Sequence, residues 1–215
     1  MFIRNCWYVV AWDHEIPADG LFARTVIGEP LVLYRTAAGE VVALEDRCCH
    51  RLAPLSKGRK EGDCVRCGYH GLKFDAAGTC VEVPGLDKVP PKAKVRRYPV
   101  AVKNRWVFVW MGDPERADTA QLPDNFSCEH PDWHHKPGYL HYDTNYLLIA
   151  DNLLDFSHLS YVHEKTLGGS TAIAQARPTI EPVPRGLRVS RFVTDVPPPP
   201  FYKRMREFTT NLDRH

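Results

Sequence analysis

The sequence lacks any run of about eighteen apolar residues, the length a membrane-spanning helix requires, so no membrane span is expected. It lacks a strong charge of either sign. The formal net charge is +2, too small to argue for nucleic acid or an anionic membrane surface as a partner. It lacks an internal repeat. It lacks, behind the short apolar start Met1 to Asp13, the small-residue cleavage site of a signal peptide. It also lacks an even cysteine count: seven thiols in 215 residues do not suggest a disulfide framework, which small secreted domains need and a chain of this length does not. These absences make a cytoplasmic protein the expectation. Hydrophobic content of 44% and charged content of 25% suit one large or two modest globular domains.

What is present is concentrated around two short loops. Cys48-x-His50 is followed, after a sixteen-residue gap, by Cys67-x-x-His70. Each half offers one thiolate and one imidazole. A Rieske 2Fe-2S centre uses two cysteines on one iron and two histidines on the other. Neutral imidazoles carry less charge than thiolates, so the histidine-bound iron is the easier to reduce. A structural zinc site is the competing reading, and Cys64-x-x-Cys67 has zinc-like spacing. Cys48-x-His50 is shorter than the usual spacing within a zinc-binding pair, which favours the cluster. Cys49 and Cys64 are then spare thiols, read as small buried side chains near the cluster.

The flanking sequence is that of a small antiparallel β domain. Leu31 to Arg35 and Val41 to Glu45 read as a hairpin with its turn near Gly39, delivering the chain to Cys48. Pro54, Gly58 and Gly62 mark an irregular crossover. Gly71 to Asp75 and Thr79 to Val83 read as a second hairpin, and Gly68 and Gly71 are expected to let backbone approach the cluster closely. Val95 to Val102 and Trp106 to Met111 close this unit. The aromatic opening segment is expected to dock onto its body. Lys92 to Arg97 is locally basic, read as a solvated segment, with a docking patch for an acidic redox partner as the sharper alternative. The expected domains are residues 1–112, a linker over 113–138, and a second domain from 139 to 215. His130, His134 and His135 fall in the linker without a supporting carboxylate or cysteine pattern and are read as solvated or packing residues.

Tyr142 to Glu164 contains no Gly or Pro, and its leucines favour a helix, expected from about Asn145 to about His163. It carries Asn152-x-x-Asp155-x-x-His158-x-x-x-x-His163. Two histidines with a carboxylate suit non-haem ferrous iron. On an ideal helix, residues five apart point about 140° away from each other. The spacing therefore demands a π-bulge or an unwound turn, which functional sites often contain. The alternative is a helix with two partly buried histidines satisfied by Asp155 and Asn152. Beyond it, Thr179 to Glu181 and Leu187 to Thr194 read as strands with a turn at Pro184-Arg185-Gly186, and Pro197 to Pro200 as a stiff extended run.

Taken together, these motifs resemble the oxygenase component of Rieske non-haem iron aromatic oxygenases. They include Asn5-Cys6-Trp7-Tyr8-Val9, Cys48-x-His50-Arg51-x-x-Pro54-Leu55-Ser56, Cys67-x-Tyr69-His70-Gly71-Leu72-x-Phe74-Asp75 and Asp151-Asn152-Leu153-Leu154-Asp155-x-x-His158-x-x-Tyr161-Val162-His163. The branch they are most similar to is the vanillate O-demethylase and toluenesulfonate methyl-monooxygenase type. The resemblance implies an α+β protein: an all-β Rieske domain, then the beginning of a helix-grip-like catalytic domain. It implies Cys48 and Cys67 on one cluster iron, His50 and His70 on the other, and His158 and His163 on a mononuclear Fe(II). It implies that Asp155 bridges the two centres, across a subunit boundary in a ring-shaped homotrimer, with Asn152 near the iron. It further implies an NAD(P)H-dependent reductase, O2 and an aromatic substrate that is hydroxylated or demethylated. The family's third iron ligand is a late carboxylate; Asp195 and Asp213 lack its context, so neither is assigned, and the chain is expected to be a truncated product, inactive alone. A standalone Rieske electron carrier is the alternative.

Overall fold

The computed structural model describes residues 2–184, 186–208 and 210–215, which divide into two compact units, Met1–Gly138 and Tyr139–His215. The architecture is α+β, and the strands of six or seven described residues lie in the first unit.

Eleven strands build the first unit: β1 (Cys6–Trp12), β2 (Phe22–Val26), β3 (Glu29–Arg35), β4 (Val41–Glu45), β5 (Arg59–Glu61), β6 (Cys64–Arg66), β7 (Lys73–Phe74), β8 (Cys80–Glu82), β9 (Arg97–Tyr98), β10 (Val100–Lys103) and β11 (Trp106–Met111). They form three antiparallel sheets in the orders β2-β3-β4-β9, β5-β6-β7-β8 and β1-β11-β10. The aromatic opening segment is thus a strand rather than a docked arm; Trp7 pairs with Trp110 in register, and their rings meet edge to face at 5.4 Å.

The run Leu31-Val32-Leu33-Tyr34 is apolar without interruption because β3 is buried on both faces. Side chains alternate across a strand. Val32 and Tyr34, with Val42 and Leu44 of β4, enter one core together with Leu55, Val65, Phe74, Cys48 and Cys67. Leu31, Leu33 and Ala43 enter a second core with Val107, Val109, Met111 and Tyr98. The β3–β4 pair therefore divides the unit, and one of its faces is the floor beneath both cysteine loops.

Residues 113–138, expected as a linker, run over this first unit as three short 3-10 turns. Asp113 and Asp118 cap two of them through Glu115 N and Ala120 N. Trp7 Nε1 donates to Asp118 O at 2.9 Å, Lys103 Nζ to Leu122 O at 3.4 Å, and Leu122 and Cys128 are buried. His130 stacks edge-on with Phe126 at 5.8 Å, a packing role.

The second unit begins with α1 (Tyr146–Leu154), capped by Asn145, whose side chain accepts from Leu147 N at 3.0 Å. The expected helix to His163 is not continuous. At Asp155 the backbone turns extended (φ −93°, ψ 96°), and its carboxylate accepts from Ser157 N at 2.8 Å. An aspartate that caps a new turn competes with helix propagation. A 3-10 turn over Phe156–Ser160 and a π turn over Glu164–Gly168 follow. Then come α2 (Ala172–Gln175), β12 (Thr179–Val183), β13 (Gly186–Ser190), β14 (Val193–Val196), α3 (Pro200–Met205) and β15 (Leu212–Arg214). The strands pair as β12-β13 and β14-β15. The expected strand Leu187 to Thr194 is split in two, Arg185 of the expected turn lies outside the described residues, and the proline run is not extended throughout. Pro200 opens α3, where a missing N–H costs nothing.

Candidate metal centres

The two cysteine loops share one backbone frame. Cys48 N donates to Ala53 O at 2.9 Å, and Leu52 N returns to Cys48 O at 2.9 Å. Cys67 N donates to Leu72 O at 2.8 Å, and Gly71 N returns to Cys67 O at 3.1 Å. The fifth position of each loop has positive φ: Leu52 at 57°, Gly71 at 76°. The loops are packed together through glycine: a Cβ on Gly58 would stand 2.0 Å from Arg66 O, and its Cα lies against Gly68. Thus the tight approach at Gly68 is to the neighbouring chain at Lys57 and Gly58, a packing constraint that the sequence alone did not distinguish from an approach to the cluster.

This frame sorts the four candidate ligands by depth. Cys48 and Cys67 are buried at 1% and 2% exposure, whereas His50 and His70 are exposed. The two imidazoles face each other, with ring centroids 4.6 Å apart. Burial, with the neighbouring Cys67 thiol adding to it, pushes the Cys48 thiol up to about 11, while the His50 N–H directed at its sulfur acts in the opposite sense. A buried thiol pair of this kind gives up protons when metal binds. Thiols inside and imidazoles outside are the donor set of a 2Fe-2S cluster whose outer iron is held by histidine.

Neighbouring side chains hold the loops in place. Asp46, 7% exposed, accepts from Ser56 N at 2.6 Å and from Ser56 Oγ at 2.5 Å. Arg66 donates to Gly71 O at 2.7 Å and forks onto Glu82 at 2.9 Å for both contacts. Its Nε also donates to Glu61 at 2.8 Å. Arg66, followed by Arg59, holds the Glu61 carboxyl down to about 2. The spare thiols are not the buried side chains expected: Cys49 is exposed and Cys64 half-buried, and partial desolvation raises both.

In the second unit the break at Asp155 brings His158 and His163 together, with ring centroids 5.3 Å apart. The five-residue step is accommodated by an unwound turn and then a π turn, whose Gly168 N donates to His163 O at 3.0 Å. Gly168 makes this possible: a Cβ there would stand 1.9 Å from Leu159 O. His158 Nδ1 contacts the Asp155 carbonyl oxygen. The Asp155 carboxyl lies below its ordinary range, first through the Ser157 N–H, then the Ser157 hydroxyl, with Arg191 and His158 adding to it. Asn152 is exposed on α1 one turn earlier. Asp195 and Asp213 are joined to each other, Asp195 N donating to Asp213 Oδ1 at 3.0 Å. Sequence reasoning missed Ser157 and Arg191, whose residue types carry no metal-ligand signal.

Residues 6–99 match the Rieske 2Fe-2S domain, and residues 142–215 match the vanillate O-demethylase oxygenase C-terminal domain. The chain is 54% identical, over its full length, to the toluene-4-sulfonate monooxygenase system iron-sulfur subunit of Comamonas testosteroni, covering 62% of that protein. It is 44% identical over 164 residues to the dicamba O-demethylase oxygenase component of Stenotrophomonas maltophilia, covering 48% of it. Among solved structures, dicamba monooxygenase bound to 3,6-dichlorosalicylic acid superposes with a TM-score of 0.89 at 34% identity, over 99% of this chain and 62% of that one. The chain thus spans less than two thirds of the length of these relatives. No described helix is long and apolar enough to cross a membrane. The chain thus carries a Rieske 2Fe-2S domain followed by residues of a vanillate O-demethylase oxygenase C-terminal domain, the make-up of a Rieske oxygenase component.

Proposed function

We propose that the chain serves as part of an oxygenase component that oxidises an aromatic compound, either on the ring or at a methyl or methoxy carbon, using O2. The observation that carries this reading is the second ligand pair: a chain built only to carry electrons has no use for His158 and His163 held 5.3 Å apart beside Asp155. Cys48 and Cys67 would hold the buried cluster iron, and His50 and His70 the outer one. His158 and His163 would hold the mononuclear iron, with Asn152 nearby. The cluster would supply one-electron storage and the second iron would supply oxygen activation. Asp155 would orient His158 and connect the two centres, across a subunit boundary in a homotrimer. Electrons would come from an NAD(P)H-dependent reductase. The relatives named for toluene-4-sulfonate and dicamba support a small aromatic substrate.

A standalone Rieske electron carrier is the alternative reading, and metal analysis separates the two. The oxygenase reading expects cluster iron and acid-labile sulfide together with a further iron that is lost in His158→Ala but kept in Cys67→Ala. A carrier has cluster iron alone. Zinc in place of iron and sulfide would overturn both. Formaldehyde release from methoxybenzoates with reductase and NADH tests the reaction itself.

A further inference from the structure

We propose that Arg191 is a positioning residue: its guanidinium, anchored on Ile173 O, holds Ser157 and through it the Asp155 carboxylate beside His158. This rests on the reading of His158 and His163 as iron ligands and extends it to residues outside the metal motif.

The geometry is a chain of contacts. Arg191 lies between β13 and β14, half-buried. Its Nη1 donates to Ile173 O at 2.8 Å, and its Nη2 donates to Ser157 Oγ at 2.9 Å. A guanidinium is planar and rigid, so two donors placed on two acceptors fix both in space. The Asp155 carboxylate accepts from Ser157 N at 2.8 Å, so fixing Ser157 fixes that carboxylate, while the Asp155 carbonyl oxygen meets His158 Nδ1. The turn concerned is the one that follows α1, and nothing in local propensity holds a five-residue 3-10 turn rigid. Arg191 supplies the long-range tie, reaching Ser157 from thirty-four residues away.

Arg191 also lines a cavity of about 380 Å³ with Phe156, Leu159, Ile173 and Val189. Phe156 and Leu159 flank His158 on the same turn. Arg191 therefore connects the wall of this cavity to the carboxylate next to His158. A lysine cannot do this, because a single ammonium does not present the fixed fork that spans Ile173 O and Ser157 Oγ.

The test uses the full chain with its cluster assembled. Fe(II) is added anaerobically, with nitric oxide as reporter, and the EPR line shape is read. Outer contacts of this kind change metal affinity by about 10–100-fold. Arg191→Gln and Ser157→Ala are expected to weaken Fe(II) binding by about tenfold or more and to shift the rhombicity of the signal. Ser157→Thr, which keeps the hydroxyl, is expected to restore both. Arg191→Lys is expected to group with Arg191→Gln. The cluster signal of every variant stays that of the parent. Parental line shapes in Arg191→Gln, or Ser157→Thr behaving like Ser157→Ala, would overturn the role of Arg191 and leave the iron reading intact. A parent without any His158-dependent signal would sink the iron reading itself, and the positioning role with it.

Discussion

Leu52 and Gly71 occupy the same place in two different loops: each returns its N–H to the carbonyl of a cysteine four residues earlier, and each does so at positive φ. Only one of them is a glycine. Leu52 bears a left-handed conformation that costs a non-glycine residue about 1–2 kcal/mol, and its side chain is 66% exposed, so packing returns little.

Exchanging the residue types at these positions has opposite effects. Gly71→Ala places a Cβ 2.9 Å from Pro84 Cγ at φ +76°, and a loss of about 1–2 kcal/mol is expected. Leu52→Gly removes a similar strain but adds about 0.5–1 kcal/mol of unfolded-state freedom. It is expected to be neutral or slightly stabilising. Urea midpoints of the two variants check this; an equal loss in both would show that the shared frame has no energetic meaning.

The ligand depth pattern predicts unequal cysteines. Cys48→Ser is expected to abolish the cluster's visible absorbance, because its buried position faces Cys67. Cys49→Ser is expected to keep full iron and sulfide content, since Cys49 is exposed. Retained absorbance in Cys48→Ser would refute the ligand assignment.

Gly168 is the joint of the second site. Gly168→Ala sets a Cβ 1.9 Å from Leu159 O, an overpacking that costs about 1–3 kcal/mol. The turns carrying His158 and His163 must then separate. The variant is expected to lose Fe(II) binding at this pair while retaining the cluster spectrum. Unchanged iron content in the second site would count against the contact.

Acid sensitivity of the cluster unit should pass partly through Glu61. Its folded carboxyl is lowered from 4.5 to about 2, chiefly by Arg66. A depressed folded value contributes stability that is complete above the unfolded value and lost as pH falls from 4.5 toward 2. Glu61→Gln is expected to flatten the pH dependence of stability in that window and to change nothing in its slope near neutrality. Equal slopes for variant and parent below 4.5 would show that the Arg66–Glu61 pair makes no contribution.

Asp155→Asn is expected to keep both metal centres and to slow electron transfer between them in a single turnover. The amide still accepts from Ser157 but has lost the charge that favours Arg191 and His158. Transfer at the parental rate would remove Asp155 from the connecting role.

The sequence by itself determined the candidate ligand types, their spacing and the β character of the first unit. Thiolate and imidazole chemistry depends on residue identity, and a strand's alternation is local. Even the break in the second motif was legible, because five residues cannot bring two side chains to one face of an α-helix. Where the helix breaks was not. That is decided by the Asp155 carboxylate taking the Ser157 N–H and by Gly168 fitting against Leu159 O. Tertiary structure alone also decided which of the proposed cluster ligands lie inside, since both faces of the Leu31–Tyr34 strand are apolar and sequence does not say which core receives the cysteines. The segment 113–138 reads as a linker from its composition but is held by contacts from Trp7 and Lys103, distant in sequence. Arg191 is of the same kind. A guanidinium thirty-four residues from Ser157 carries no local signal. Its place beside the metal pair exists only because the fold brings the segment after β13 back to the turn after α1.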